Sequence, residues 1–159
     1  MEFKKVGDWK RVERLIGRID NEMRKAQMLS LKRFGLKAEA IAKTHISRQD
    51  LNWQELTPEY LEKKVREGKS ENILVATSSY FQSITTYVLV DTVYSGVTRK
   101  AINKDGKIIA DIAKVHEYGS KSGGIPARPL WKPTLQEVML WHAKVNTPEM
   151  YFMKAIKKY

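Results

Sequence analysis

The chain has 159 residues, 42% of them hydrophobic and 30% charged, with no cysteine and a formal net charge of +11. That length and balance suit one domain over residues 1–159 with a real core and exclude wholesale disorder. The missing cysteines exclude a disulfide scaffold, a cysteine-based zinc site and a thiol nucleophile. The charge excess calls for an acidic counterpart, either nucleic acid or a negatively charged protein surface. No run approaches the roughly 18 apolar residues of a membrane span, and the opening MEFKKVGDWKRVERLIG lacks the apolar stretch of a signal peptide. The expectation is a chain made and kept in the cytoplasm, with no membrane contact.

In chain order, Trp9, Val12, Ile16, Ile19, Met23 and Ala26 fall on one stripe of a helix, with Asp8 placed to cap it. Lys10, Arg11, Arg14, Arg18, Arg24 and Lys25 lie between them, so the helix is apolar on one side and basic on the other. The stripe is too short for a coiled-coil seam, which predicts that it packs on the domain's own sheet. Its register fails near Leu29 to Leu31, and Gly35 reads as an end or kink before a second helical stretch, KAEAIAKTHI. Thr57-Pro58-Glu59 supplies a cap, a proline at the first helical position and an acid in the first turn; Gly68 closes that helix. Ser78-Ser79 caps a single turn carrying Tyr80, Phe81 and Ile84.

Residues 85–92 are rich in β-branched and aromatic side chains and read as a strand that pairs with 94–103. Asn103-Lys104-Asp105-Gly106 is a turn signal. Residues 111–118 carry a partial helical face ended by Gly119. Further on, PLWKPTLQEVMLWHAKV reads as a strand end followed by a helix with Pro133 at its first position, and Thr147-Pro148-Glu149 starts a last helix whose end, KAIKKY, is basic.

The densest chemistry sits in VHEYGSKSGGIPARPLW, residues 115–131. A zinc helix of the HExxH type needs a second histidine four residues after His116, and position 120 is serine. Ser120 and Ser122 lie near His116, but no strand-turn-helix elbow surrounds them. His45, His116 and His142 are scattered, and His142 beside Trp141 reads as a packed residue. SKSGG lacks the spacing of a phosphate loop. For nucleic acid, Trp53, Tyr60, Tyr80 and Trp131 offer stacking faces, but no familiar reading module is present and the basic residues are spread along the chain. As backbone, the segment is flexible at Gly119, Gly123 and Gly124 and stiff at Pro126 and Pro129. Arg128 then points outward towards a carboxylate while Leu130 and Trp131 anchor the next helix. An internal crossover loop without any partner is the equal alternative.

Three pieces resemble the bacteriophage virion-morphogenesis family, the tail-completion or neck proteins of Mu-like phages. They are Trp53-x-x-Leu56-Thr57-Pro58-x-Tyr60 with Lys63 or Lys64, then Ile73-Leu74 with Ser79-Tyr80-Phe81-x-Ser83-Ile84, and His116-Glu117-Tyr118-Gly119 with Ile125-Pro126-Ala127-Arg128-Pro129-Leu130. The pieces span about residues 50 to 135. Thr77-Ser78-Ser79 stands where the family has a Thr-Gly pair, and the hairpin over 93–110 is longer. The resemblance implies an α+β fold, with a small antiparallel sheet packed against a long N-terminal helix and shorter helices. It also implies a structural protein without catalytic residue, cofactor or metal. Copies would form a hexameric ring as a neck or tail terminator, joining tail tube or sheath to the head connector, in the virion after assembly in the host cytoplasm. Non-specific contact with channel DNA, or a role as a basic DNA- or RNA-binding protein, is the alternative. The implied interface is His116, Glu117, Tyr118, Gly119, Ile125, Pro126, Arg128, Pro129, Leu130 and Trp131, ordered on assembly by burial of Leu130 and Trp131.

Overall fold

A computed structural model describes residues 7–158; the first six residues of the opening segment and Tyr159 of the basic end lie outside it. The described chain is α+β, with helices α1 (Trp9–Ile16), α2 (Ile19–Arg48), α3 (Pro58–Arg66), α4 (Ser79–Ser83), α5 (Ile109–Tyr118), α6 (Trp131–Val145) and α7 (Pro148–Ile156). Strands β1 (Ile84–Val88) and β2 (Val93–Val97) form an antiparallel pair in which Ile84 faces Val97 and Val88 faces Val93. Both strands are shorter than the sequence predicts. Leu89 to Thr92 form the turn, and the chain after Thr98 folds back through the Asn103 turn, whose side-chain oxygen accepts from the Asp105 and Lys107 amides.

Asp8 and Gly68 cap their helices where the sequence places them, whereas Thr57, Ser78 and Thr147 stand at the N-cap positions without a side-chain cap hydrogen bond. Asp8 accepts from the Arg11 amide at 3.0 Å, starting α1. At the end of α3, Gly68 adopts φ +65° and the Gly68 and Lys69 amides donate to the Val65 and Lys64 carbonyls. This is the paired closure that a left-handed glycine permits. Gly119 likewise ends α5. Pro133, by contrast, is the third residue of α6, which starts at Trp131 with no strand before it.

Helix α2 is the spine and touches both strands, α6 and α7. Ala42 and Ile46 enter one core with Trp53, Tyr80, Ile84, Ile109 and Leu130; Ala38 and Ile41 enter a second with Val138, flanked by Phe34 and Trp141. Gly35 is neither an end nor a kink. It is buried inside the unbroken α2, and its carbonyl accepts from Thr86 Oγ1 at 3.0 Å and Ser95 Oγ at 2.9 Å. A methyl group at that position would come within 2.5 Å of Val93 Cγ1 and 2.8 Å of Thr86 Cγ2. The glycine is there because two β-branched side chains of the hairpin press directly on the helix backbone.

The far end of α2 is tied to the C-terminal helices. Ser30 Oγ donates to the Asn146 carbonyl, Asn146 Nδ2 donates to the Ser30 carbonyl at 2.9 Å, and Tyr151 donates to Asn146 Oδ1 at 2.7 Å. Asn146 is fully buried, so these bonds satisfy groups that would otherwise be costly to bury. His142 is packed as predicted, edge-on to Phe34 and beside the Asn146 amide.

The N-terminal stripe does not pack on the sheet. Trp9, Val12, Ile16 and Ile19 are exposed, α1 buries nothing, and only Met23 and Ala26 farther along turn inward. The helix breaks at Gly17–Arg18, which separates α1 from the spine.

Candidate functional site

Residues 116–131 form a closed internal knot. Gly119 has φ +75°, and a side chain there would meet the Ala127 amide nitrogen at 2.9 Å and the Ile125 carbonyl oxygen at 3.0 Å. Ser120 and Ile125 exchange backbone hydrogen bonds of 2.8 and 3.0 Å across the glycine turn. The Arg128 amide donates to the His116 carbonyl at 2.6 Å. The segment that the sequence presents as a reaching arm is held at each end by its own backbone.

Glu117 supplies the second tie. Its carboxylate accepts from the Leu130 amide at 2.8 Å and from the Trp131 amide at 3.2 Å. These are among the donors that the first turn of α6 leaves without intrahelical partners, and a carboxylate there also meets the positive end of the helix dipole. A residue in α5 therefore caps α6 from thirteen positions away.

Arg128 overturns the outward reading. It is 6% exposed, and its Nε and Nη2 both donate to the Gln54 carbonyl at 3.2 and 3.1 Å. Trp53 Nε1 donates to the Pro129 carbonyl at 3.0 Å, so the 53–54 stretch and the 128–129 stretch are joined by reciprocal side-chain bonds. Leu130 is fully buried and Trp131 packs against the core in the free chain. Leu130 is already fully buried and Trp131 partly so, and the burial of Leu130 cannot be the gain that orders the segment on assembly. The reason is in the packing: α6 can be seated on α2 only if its first turn is inside.

His116 is stacked on Tyr80 with ring centroids 6.5 Å apart, and its Nδ1 is buried without a hydrogen-bond partner. Burial, then the nearby Arg128 charge, hold His116 below the usual imidazole range. Burial, reinforced by Glu117, pushes the Tyr80 hydroxyl well above its ordinary value. Of the sequence-predicted interface, Tyr118 is 77% exposed, Pro129 is exposed, and Ile125 and Pro126 are half-buried. His116, Glu117, Gly119, Arg128 and Leu130 serve the interior. Trp53 and Tyr80, offered as stacking faces, are also buried.

Beside His116, Glu117 is committed to the start of α6, and Ser120 Oγ accepts from the Gly123 amide in the glycine turn. Among the described residues no cluster of three or more histidine, aspartate or glutamate side chains is arranged to hold a metal, and no helix is long and apolar enough to cross a membrane.

The sequence reading missed Lys64 as a buried group, Gln54 as the acceptor for Arg128, and Asn146. Lys64 stands in α3 between Lys63 and Val65, in a turn rich in charged residues, which gives no signal of burial. Asn146 precedes a helix cap and looks like a linker residue.

No protein-family model matches the chain, and no solved structure matches it. The chain is similar to the uncharacterized protein MJ0331 of Methanocaldococcus jannaschii, 30% identical over 91 residues. The match covers 57% of this chain and 62% of that protein, so the chain spans less than two thirds of the length of its relative.

Proposed function

We propose that this protein is a non-catalytic structural component of a phage-type head–tail junction, a tail-completion, neck or tail-terminator protein that works as a ring of copies. The observation that supports this reading is the unburied apolar surface of α1. Trp9, Val12 and Ile16 lie exposed on one stripe, and completing the burial of such side chains on a partner is worth up to roughly 1.5–3 kcal/mol each. A second exposed apolar surface is the β1–β2 turn, where Leu89 is exposed and Val90 is 95% exposed. Two separated apolar surfaces on one small chain suit a subunit with neighbours on more than one side. Tail tube or sheath, head connector and a second copy are the partners the reading names.

Contact with DNA is the second reading, and it rests on charge. Lys10, Arg11, Arg14, Arg18, Arg24 and Lys25 all lie exposed along the N-terminal helices. Analytical ultracentrifugation and negative-stain microscopy over a concentration series test the first reading: rings that grow with concentration and vanish in Val12→Ser/Ile16→Ser support it. A monomer at every concentration that binds a short duplex with steep salt dependence overturns it in favour of the second.

A further inference from the structure

Between α3, the segment over 72–80, α5 and Arg128 lies a cavity of about 280 Å³. Its walls include Tyr60, Lys64, Lys69, Tyr80, His116 and Arg128. Lys64 is 3% exposed and Arg128 is 6% exposed, yet neither forms an ion pair with any described residue. Lys64 Nζ donates to the Asn72 carbonyl at 2.8 Å, and Arg128 donates to the Gln54 carbonyl. Carbonyl oxygens satisfy hydrogen bonds without neutralising charge. A buried ion without a counter-ion carries a desolvation penalty, and two of like sign beside one cavity repel as well. On the same wall, His116 Nδ1 is buried without any hydrogen-bond partner.

One carboxylate, Asp105, also lines the cavity, but it forms no ion pair with Lys64 or Arg128, so both buried cations remain without a counter-ion. We propose that it is a binding site for an oxyanion of the phosphate or carboxylate type, with Lys64 and Arg128 as its charge partners, His116 beside them and Lys69 nearer the mouth. Arginine and lysine together are suited to such a group, the guanidinium as a planar fork and the ammonium as a point charge. The volume lies below the about 300–1,000 Å³ of sites for drug-sized ligands, which favours a small anion or a single acidic head over a nucleotide. Burial first, and then the charge of Arg128, hold Lys64 and His116 below their usual ranges, and an anion in the cavity would relieve both effects. The site stands independently of the assembly reading, since a monomer would contain it whole.

The test is thermal unfolding and calorimetric titration of the full chain with inorganic phosphate, and separately with a terminally blocked glutamate, at constant ionic strength maintained with sodium chloride. Phosphate or the blocked glutamate should raise Tm saturably. A stronger response to phosphate identifies a free ion as the source, and a stronger response to glutamate identifies an acidic side chain of another polypeptide. Lys64→Met should leave the anion-free Tm equal or higher, because it replaces an unpaired buried cation by an apolar chain of similar length, and should weaken binding at least tenfold. A two-dimensional NMR titration of the parent protein should move the His116 ring signals with the same midpoint, a readout that does not require any variant to fold. Absence of a saturable response to both anions overturns the proposal. So does a response that leaves the His116 signals in place, or one that Lys64→Met retains in full.

Discussion

The knot at 116–131 and helix α1 distribute their side chains in opposite ways. In the knot, an arginine, a glutamate and a histidine point inward while Tyr118 and Pro129 face solvent. In α1, a tryptophan, a valine and an isoleucine face solvent and nothing is buried. Polar groups turn inward where the backbone leaves donors and acceptors to satisfy, as Glu117 does for the first turn of α6. Val12 and Ile16 of α1 remain exposed, outside both core clusters of the described residues. The first arrangement holds this molecule together, and the second leaves it unfinished.

The contrast is broken most sharply at Gly119. Alanine there combines a backbone region that side chains rarely adopt with a clash against the Ala127 and Ile125 backbone, for a loss on the order of 4 kcal/mol when the two costs of about 1–3 kcal/mol each are added. Chemical denaturation should show the chain largely unfolded or with a midpoint far below the parent's. Next comes Glu117→Ala, which leaves two amides at the buried start of α6 without an acceptor and should cost about 2–3 kcal/mol. Glu117→Gln, which keeps an acceptor oxygen, should recover part of that loss in the same denaturation series. Equal stability of the alanine variant and the parent would mean that the knot is not closed by its carboxylate.

A smaller effect is expected from pH. His116 has a folded pKa below its unfolded value, so the unfolded chain binds more protons between the two, and stability rises with pH through that interval. The gain from neutral His116 is complete above the unfolded value near 6.5 and is lost as pH falls through the interval below it. Urea midpoints should therefore decline below about pH 6.5, and His116→Phe, which preserves the stacked ring, should flatten the part of the decline that His116 contributes. The smallest change in stability belongs to α1: Val12→Ser/Ile16→Ser should shift the Tm of the monomer by no more than a degree or two. A large shift would show that the stripe is already packed within the chain.

What could be read in the sequence was local. The Asp8 cap, the proline start of α3, the Gly68 closure, the Asn103 turn and the glycine at the end of α5 each depend on atoms within a few residues. Periodicity also revealed the stripe of Trp9, Val12 and Ile16, but it shows only that a face is apolar and cannot say what will cover it. Gly35 was misread because its reason lies in Thr86 and Val93, on a hairpin far along the chain. Arg128 was misread in the same manner, since its acceptor is 74 residues distant and a flanking proline on its C-terminal side says nothing about burial. The α+β class was legible because the β-branched run over 85–92 stands apart from the helical stretches. The site was legible as a concentration of unusual residues, although its direction was not.

The tie between Ser30 and Asn146 joins residues 116 positions apart. On the ribosome, α2 emerges early, but α6, Asn146 and α7, which cover much of it, are made last. Its Ala38 and Ile41 face must remain uncovered by Val138 until most of the chain has been synthesised. The longest helix of the protein is thus the element that waits longest for its neighbours, and a chain released before Asn146 would expose that face to whatever else is in the cell.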